Sequence, residues 1–112
     1  SLQTDKNVFC KMLYDNNKID EINYQIYLRW FDEFTNDFPD ISYIYINTMP
    51  DIAYQRVIKR NRKGETISLD YLRICSDYHN NWFKKEKHFD INGNGNYETT
   101  FNNVNDILKI LR

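Results

Sequence analysis

Glycine is scarce in this 112-residue chain: the three present are Gly64, Gly93 and Gly95, and none precedes a lysine. A GxxxxGKS/T phosphate loop is therefore absent. Two cysteines, Cys10 and Cys75, have no metal-ligand spacing and no partner pattern of a disulfide framework. Each falls in a helical pattern, where cysteine is usually a small buried hydrophobe, so a reducing, cytoplasmic compartment is expected. Charge of one sign is also lacking. Fifteen Lys and Arg against sixteen Asp and Glu give a formal net charge of -1, which offers no basis for a nucleic-acid or anionic-membrane partner. No apolar run is long enough to cross a bilayer, and the opening SLQTDKN has none of the apolar stretch of a signal peptide. His79 and His88 belong to no metal motif and to no recognisable order of nucleophile and base, so structural roles and no metal site are expected. The chain starts on Ser1 rather than Met and enters a helical pattern at once, as a piece of a longer protein would.

What is present is aromatic. Tyr, Phe and Trp make up 16% of the chain, within a hydrophobic share of 41% and a charged share of 28%, so a soluble globular chain is expected. A single domain over residues 1–112 with a real core fits the length. Val8, Phe9, Met12 and Leu13 recur at helical spacing after Thr4, with Thr4 or Asp5 as the cap, until Asp15 to Lys18 break the pattern. A longer helix runs from Asp20 to about Asn36, with Ile22, Ile26, Trp30 and Phe34 on one face and Tyr27 and Phe31 beside it. Such a wide stripe predicts core plus some subunit interface.

Phe38 to Asp40 reads as a loop, and Ile41 to Asn47 as a strand covered on both faces. Thr48 as N-cap, Pro50 in the first turn and Asp51 beside the helix dipole then open a helix that continues through Arg60. Strand, turn and capped helix make half of a βαβ unit, and point to an α/β fold with a parallel sheet. Arg60 to Thr66 reads as a basic mobile loop. Ser68 caps a helix to about Lys87, with Leu69, Leu72, Cys75, His79 and Trp82 on its inner side. Phe89 to Ile91 form a short last strand, Asn92 to Asn96 a loop, and Val104, Ile107, Leu108 and Leu111 a closing amphipathic helix.

Chemistry concentrates in the ladder Arg56, Lys59, Arg60, Arg62 and Lys63, which ends in Gly64-Glu65. Arginine suits phosphate because its planar fork donates two parallel hydrogen bonds and stays charged. A basic loop closing on a triphosphate would stabilise charge on the transferring group. The same residues are equally those of a solvated basic face at a helix C-terminus. Glu65 could accept a sugar hydroxyl or merely balance local charge. Asp5 and Phe9 lie four apart and could bond and stack a base, or serve as a helix cap and a core residue.

The order of these segments resembles the deoxynucleoside kinase family, of the deoxycytidine and deoxyguanosine kinase type, from the middle of the protein onward. SLQTDKNVFCKML resembles the family's Ser and Asp after Glu-Arg, with Ser1 and Asp5 at those places. Trp30-Phe31-Asp32 is similar to its W-F/H-D pattern, Ile44 to Pro50 to its strand and Pro-headed helix, RNRKGET to its arginine-rich lid, and Tyr71-Leu72 with His79 and Trp82 to its YL and HxxW helix. The resemblance implies a P-loop-kinase-like parallel sheet flanked by helices. It also implies transfer of the gamma-phosphate of ATP or another nucleoside triphosphate, with Mg2+, to the 5′-hydroxyl of a deoxynucleoside. Asp5 would contact the base edge, Phe9 would stack on it, and Glu65 would hold the deoxyribose 3′-hydroxyl. Arg56, Arg60 and Arg62 would hold the donor and the transition state, and Asp90 with the following Asn-Gly loop would sit near the donor's adenine. An aspartate at position 5 resembles members acting on deoxycytidine or purine deoxynucleosides more than thymidine-preferring ones. Family members are commonly homodimers joined through helices, here through the Asp20 to Asn36 helix, and are cytoplasmic or mitochondrial.

The chain departs from the family pattern at Lys6-Asn7 for Arg-Tyr, at Cys75-Ser76 for Leu-His, at Asn80 for Glu, and in a lid one residue shorter than in some relatives. In the family the N-terminal half supplies the phosphate loop, most of the metal site, the general base and the arginine before the serine; none is among these 112 residues. The chain alone is therefore expected to be inactive. The alternatives are a thymidylate kinase-like enzyme, which would usually call for an extra arginine near the base helix, and a non-catalytic helical binding module.

Overall fold

The computed structural model describes residues 1–112. Helix α1 is α-helical over Leu2–Thr4, π-helical over Asp5–Cys10 and α-helical again over Lys11–Asp15. It begins earlier than its apolar spacing indicates, because Ser1 is the N-cap and its hydroxyl accepts from the Thr4 amide at 3.1 Å. Thr4 and Asp5 lie inside the helix. Asn17, with φ of 58°, supplies the left-handed step that turns the chain. Helix α2, Glu21–Thr35, is capped by Asp20, whose carboxylate accepts from the Asn23 amide at 2.7 Å.

Strand β1, Ile44–Asn47, runs parallel to β2, Phe89–Asn92, with Ile44 opposite Phe89 and Asn47 opposite Asn92. Two helices cross between them. Helix α3, Pro50–Arg60, has Met49 rather than Thr48 at its N-cap, with no side-chain bond there, and Pro50 needs none. Helix α4, Leu69–Phe83, is capped by Ser68 and ends before Lys84, one turn short of the expected Lys87. Helix α5, Tyr97–Leu111, starts two turns before its first expected apolar residue because Asn96 caps it, accepting from the Thr99 amide at 2.8 Å.

Helix α4 is the hub, with α1, α3 and the sheet packed against it. Tyr45 stacks on Phe83 at 4.7 Å between ring centroids and donates its hydroxyl to Asn80 at 3.0 Å, while Tyr43 meets Trp82 edge-on at 5.3 Å. The core is thin: only Val8, Cys10, Met12, Phe83 and Ile91 are buried hydrophobic residues. The Cα radius of gyration of 16.2 Å exceeds the ~13 Å of a compact domain of this length, so the helices do not close around a common interior. Two expectations change accordingly. Ile46 on β1 is 46% exposed because the strand has a neighbour on one edge alone. The α2 stripe is not core either, since Ile22, Ile26, Trp30 and Phe34 are all about half exposed or more.

One polar pair ties α1 to α4. The Tyr78 hydroxyl donates to Asp15 at 2.6 Å, and Lys11 reaches the same carboxylate at 3.2 Å. Tyr78 first and Lys11 second hold Asp15 below the usual carboxylate range, and the bond to Asp15 pushes Tyr78 up to about 12. Because the Asp15 value is depressed on folding, its contribution is complete above roughly pH 4 and fades as pH falls through the folded value. Because the Tyr78 value is raised, its contribution is complete below roughly pH 10 and is lost as pH climbs further. The carboxylate is partly solvated, so Tyr78→Phe should cost about 1 kcal/mol near neutrality. Urea melts of both proteins should differ at pH 7 and converge at about pH 2.5. A gap that persists at acid pH would contradict this assignment.

Candidate phosphate and nucleoside site

The basic ladder does not act as one surface. Arg56 turns toward the loop after β2, donating from Nη1 to the Gly93 carbonyl at 2.7 Å and from Nη2 to the Gly95 carbonyl at 2.8 Å. Asn94 in the same loop accepts from the Met49 amide at 2.7 Å, and the Gly93 amide donates to Asn47 at 2.8 Å. The loop is thus fastened to the start and middle of α3. Sequence reading named the Asn-Gly loop after Asp90 but not its fastening to α3, although an Asn-Gly-Asn-Gly run beside a strand end signals a close backbone approach.

Arg60, the last residue of α3, turns the other way. Its Nη2 donates to both oxygens of Glu65 at 2.6 Å. Asn61 ends the helix in the left-handed region with φ of 47°, and Gly64 has φ of 81°, so the chain doubles back and returns Glu65 to the helix end. The Arg60 hydrogen bond first, and the charges of Arg60 and Arg62 after it, hold Glu65 below the usual carboxylate range. It is an ionised acceptor at neutral pH. Arg62 and Glu65 border a cavity of about 240 Å³ with Tyr54, Asn61 and Thr66.

Asp5 and Phe9 lie together in the π-helical part of α1, both exposed. Asp5 accepts from the Tyr27 hydroxyl on α2 at 2.5 Å. Sequence reading placed Tyr27 in an apolar stripe and missed this bond, which only the packing of α2 on α1 creates. Asp90 is exposed on β2, opposite Tyr45. It helps keep the Tyr45 phenol above its usual range, after burial, which is the larger cause. Within this chain Asp5 and Phe9 do not share a principal cavity with Arg60 and Arg62. The largest cavity, about 1100 Å³, is bordered by Lys6, Asn7 and Phe31 on α1 and α2 and by Tyr78 and Trp82 on α4. No group of three or more His, Cys, Asp or Glu side chains is arranged to hold a metal ion.

Residues 1–110 match the family profile of the deoxynucleoside kinases. The chain belongs to the deoxynucleoside kinase family. It is 33% identical to a probable deoxycytidine kinase of Fowlpox virus (strain NVSL), an alignment covering 96% of this chain and 50% of that protein. It is 28% identical to the mitochondrial deoxyguanosine kinase of Xenopus laevis, covering 99% and 40%, and 33% identical to the mitochondrial thymidine kinase 2 of Homo sapiens, covering 76% and 33%. It therefore spans about half the length of the viral relative and less of the other two. Among solved structures, a deoxyadenosine kinase from M. mycoides with bound dCTP has a TM-score of 0.76 at 21% identity, over 95% of this chain and 59% of that one. That likeness bears out the expected P-loop-kinase-like α/β fold, represented here by helices and two parallel strands. Two of the kinase relatives are mitochondrial, and no helix of this chain is long and apolar enough to cross a membrane.

Proposed function

We propose that this chain supplies the base-contacting helix and the arginine lid of a deoxynucleoside kinase. That enzyme transfers the gamma-phosphate of ATP or another nucleoside triphosphate to the 5′-hydroxyl of a deoxynucleoside in nucleotide salvage. The observation that carries the reading is the turn from Arg60 to Glu65, where two arginines and an ionised carboxylate are gathered at the end of α3. Arg60 and Arg62 neutralise charge developing on the transferring phosphoryl oxygens. Glu65, an acceptor fixed by Arg60, takes the deoxyribose 3′-hydroxyl. Asp5 meets the base edge and Phe9 stacks on the ring. Arg56, with both nitrogens on the Gly93 and Gly95 carbonyls, positions the loop after Asp90, where the donor's adenine lies. Mg2+ carried by the triphosphate would neutralise phosphate charge, and no residue of this chain is assigned to hold it. The exposed stripe of Ile22, Ile26, Trp30 and Phe34 is the surface through which two copies pair. A cytoplasmic location fits two free cysteines, one of them buried.

Phosphoryl transfer also needs a cradle for the donor phosphates and a base for the 5′-hydroxyl proton. The 112 residues hold no GxxxxGKS/T loop to form that cradle. Purified alone, the chain should give no deoxynucleoside phosphorylation above background in a radiolabelled ATP assay. Supplying a phosphate-loop-bearing half of a related kinase, joined or co-expressed, should produce turnover. Robust activity of the isolated chain would contradict this division of labour, and a well-folded joined protein without nucleoside phosphorylation would overturn the kinase reading.

A further inference from the structure

We infer that Asn94 is a site of spontaneous covalent modification, its side-chain amide being lost as ammonia through attack by the Gly95 backbone nitrogen, while the matching pair Asn92-Gly93 is protected. The contacts that separate the two pairs lie within the 112 residues, and none depends on the kinase reading.

The chain holds two Asn-Gly steps, Asn92-Gly93 and Asn94-Gly95. Glycine after asparagine is the susceptible context, because no Cβ crowds the approach of its nitrogen to the asparagine Cγ and its backbone is free to turn. The reaction needs only water. The glycine nitrogen gives its proton to hydroxide and forms a bond to Cγ. The Cγ–Nδ2 bond then breaks, and Nδ2 takes up a proton and leaves as ammonia, so a succinimide ring remains. Water opens the ring in one of two ways. Cleaving the bond from nitrogen to Cγ leaves aspartate. Cleaving the bond from nitrogen to the main-chain carbonyl carbon leaves isoaspartate, whose main chain runs through the side-chain methylene. One water is consumed and one ammonia released by either route.

The two asparagines are alike as electrophiles. Asn92 Oδ1 accepts from the Asn94 amide at 2.8 Å, and Asn94 Oδ1 accepts from the Met49 amide at 2.7 Å. Each bond draws charge from Cγ and stabilises the oxygen as the tetrahedral carbon forms. The nucleophiles differ. The Gly93 amide is donated to the Asn47 carbonyl at 2.8 Å, and the residue is buried against Thr48 and Ile46. Its nitrogen must break that bond and leave a packed position before it can attack. Gly95 is exposed, with nothing within 4 Å of the place of a Cβ, and its amide is not tied to β1. Arg56 widens the contrast, because its guanidinium bridges the Gly93 and Gly95 carbonyls on either side of the reacting residue. A positive charge so placed favours the nitrogen anion from which the attack starts.

The two products act on the loop in opposite ways. An aspartate at position 94 still accepts from the Met49 amide and sets a negative charge at the start of α3, where the helix dipole favours it. An isoaspartate adds a methylene to the main chain between the carbonyls that Arg56 holds. One guanidinium cannot then keep both, and the loop after β2 loosens together with the Asn96 cap of α5.

The test ages the purified chain at mildly alkaline pH and follows the tryptic peptide from His88 to Lys109, which holds both steps, by fragmentation mass spectrometry. Asn94 should convert about tenfold faster than Asn92, the factor for freeing one buried hydrogen bond. In urea, where neither glycine is held, the two rates should converge. Gly95→Ala should slow Asn94 several-fold and leave Asn92 as slow as before. Equal rates in the native chain, a faster Asn92, or an Asn94 rate indifferent to Gly95→Ala would each overturn the inference. The isoaspartate fraction, separated by chromatography, should melt below the fresh chain, whereas Asn94→Asp should melt with it. An isoaspartate fraction as stable as the fresh chain would overturn the loosening of the loop.

Discussion

Arg60→Ala in the active enzyme should lower kcat by about 10²–10³-fold and change the KM for the deoxynucleoside by no more than a few-fold. The expectation follows from where Arg60 sits. It is the last residue of α3, so its backbone is held by the helix while its guanidinium reaches into the turn. On the proposed reading it serves two partners in succession. In the chain as it stands, one nitrogen binds both oxygens of Glu65. When charge builds on a transferring phosphoryl group, the remaining donors of the same fork are available for the equatorial oxygens. Removing the side chain deletes an interaction that grows in the transition state, which is the signature of a loss in kcat. Arg60→Lys should recover only part of it, because an ammonium is a point charge and cannot bridge Glu65 and a phosphate in one plane. Glu65→Gln should instead raise the KM for the nucleoside. Equal losses in kcat and nucleoside affinity for Arg60→Ala would mean that Arg60 merely holds the turn together.

That division between Arg56 and Arg60 marks the limit of sequence reading here. Spacing placed both on one face of one helix, and the helix is where it was expected. Four rotatable side-chain bonds then carry the two guanidiniums apart, Arg56 to loop carbonyls 37 and 39 residues away and Arg60 to a carboxylate five residues away. Periodicity specifies the face of a Cβ and not the destination of a long polar side chain. The helices, the Ser68 cap and the places of both strands were legible because they depend on local patterns, although β1 begins at Ile44 rather than at Ile41 and Asp20 caps α2 rather than opening it. The Ser1 and Asn96 caps were missed because polar residues extended each helix beyond its apolar positions. Burial of the α2 stripe was misjudged for a different reason: hydrophobic periodicity says that a face is suited to be covered and not that the same chain covers it. Tyr27 illustrates both limits at once, an aromatic in an apolar stripe whose hydroxyl has a purpose only once α1 lies beside it.

Gly93→Ala should destabilise the chain by about 1–3 kcal/mol, lowering Tm by roughly 4–8 °C for each kcal/mol, while Gly95→Ala stays within about 0.5 kcal/mol. Conformational freedom is not the cause, because neither residue has positive φ. Space is. A Cβ at position 93 would collide with the Thr48 Oγ1, lie 2.8 Å from the Ile46 Cγ2 and 3.4 Å from the Asn47 carbonyl, whereas nothing lies within 4 Å of one at position 95. Retreat is blocked on both sides of Gly93, since its amide is bonded to Asn47 and its carbonyl to Arg56. Ile46 is half exposed and can swing outward, which leaves Thr48 as the rigid obstacle. The Thr48 hydroxyl makes no hydrogen bond of its own, so Thr48→Ala should cost little alone and should restore most of what Gly93→Ala loses, a coupling that a double-mutant cycle measures directly. Additive effects of the two substitutions, or equal losses at positions 93 and 95, would show that the loop is not wedged against β1. The Arg56 clamp would then have no fixed loop to hold, and its assignment as a positioning residue would fall with the wedge.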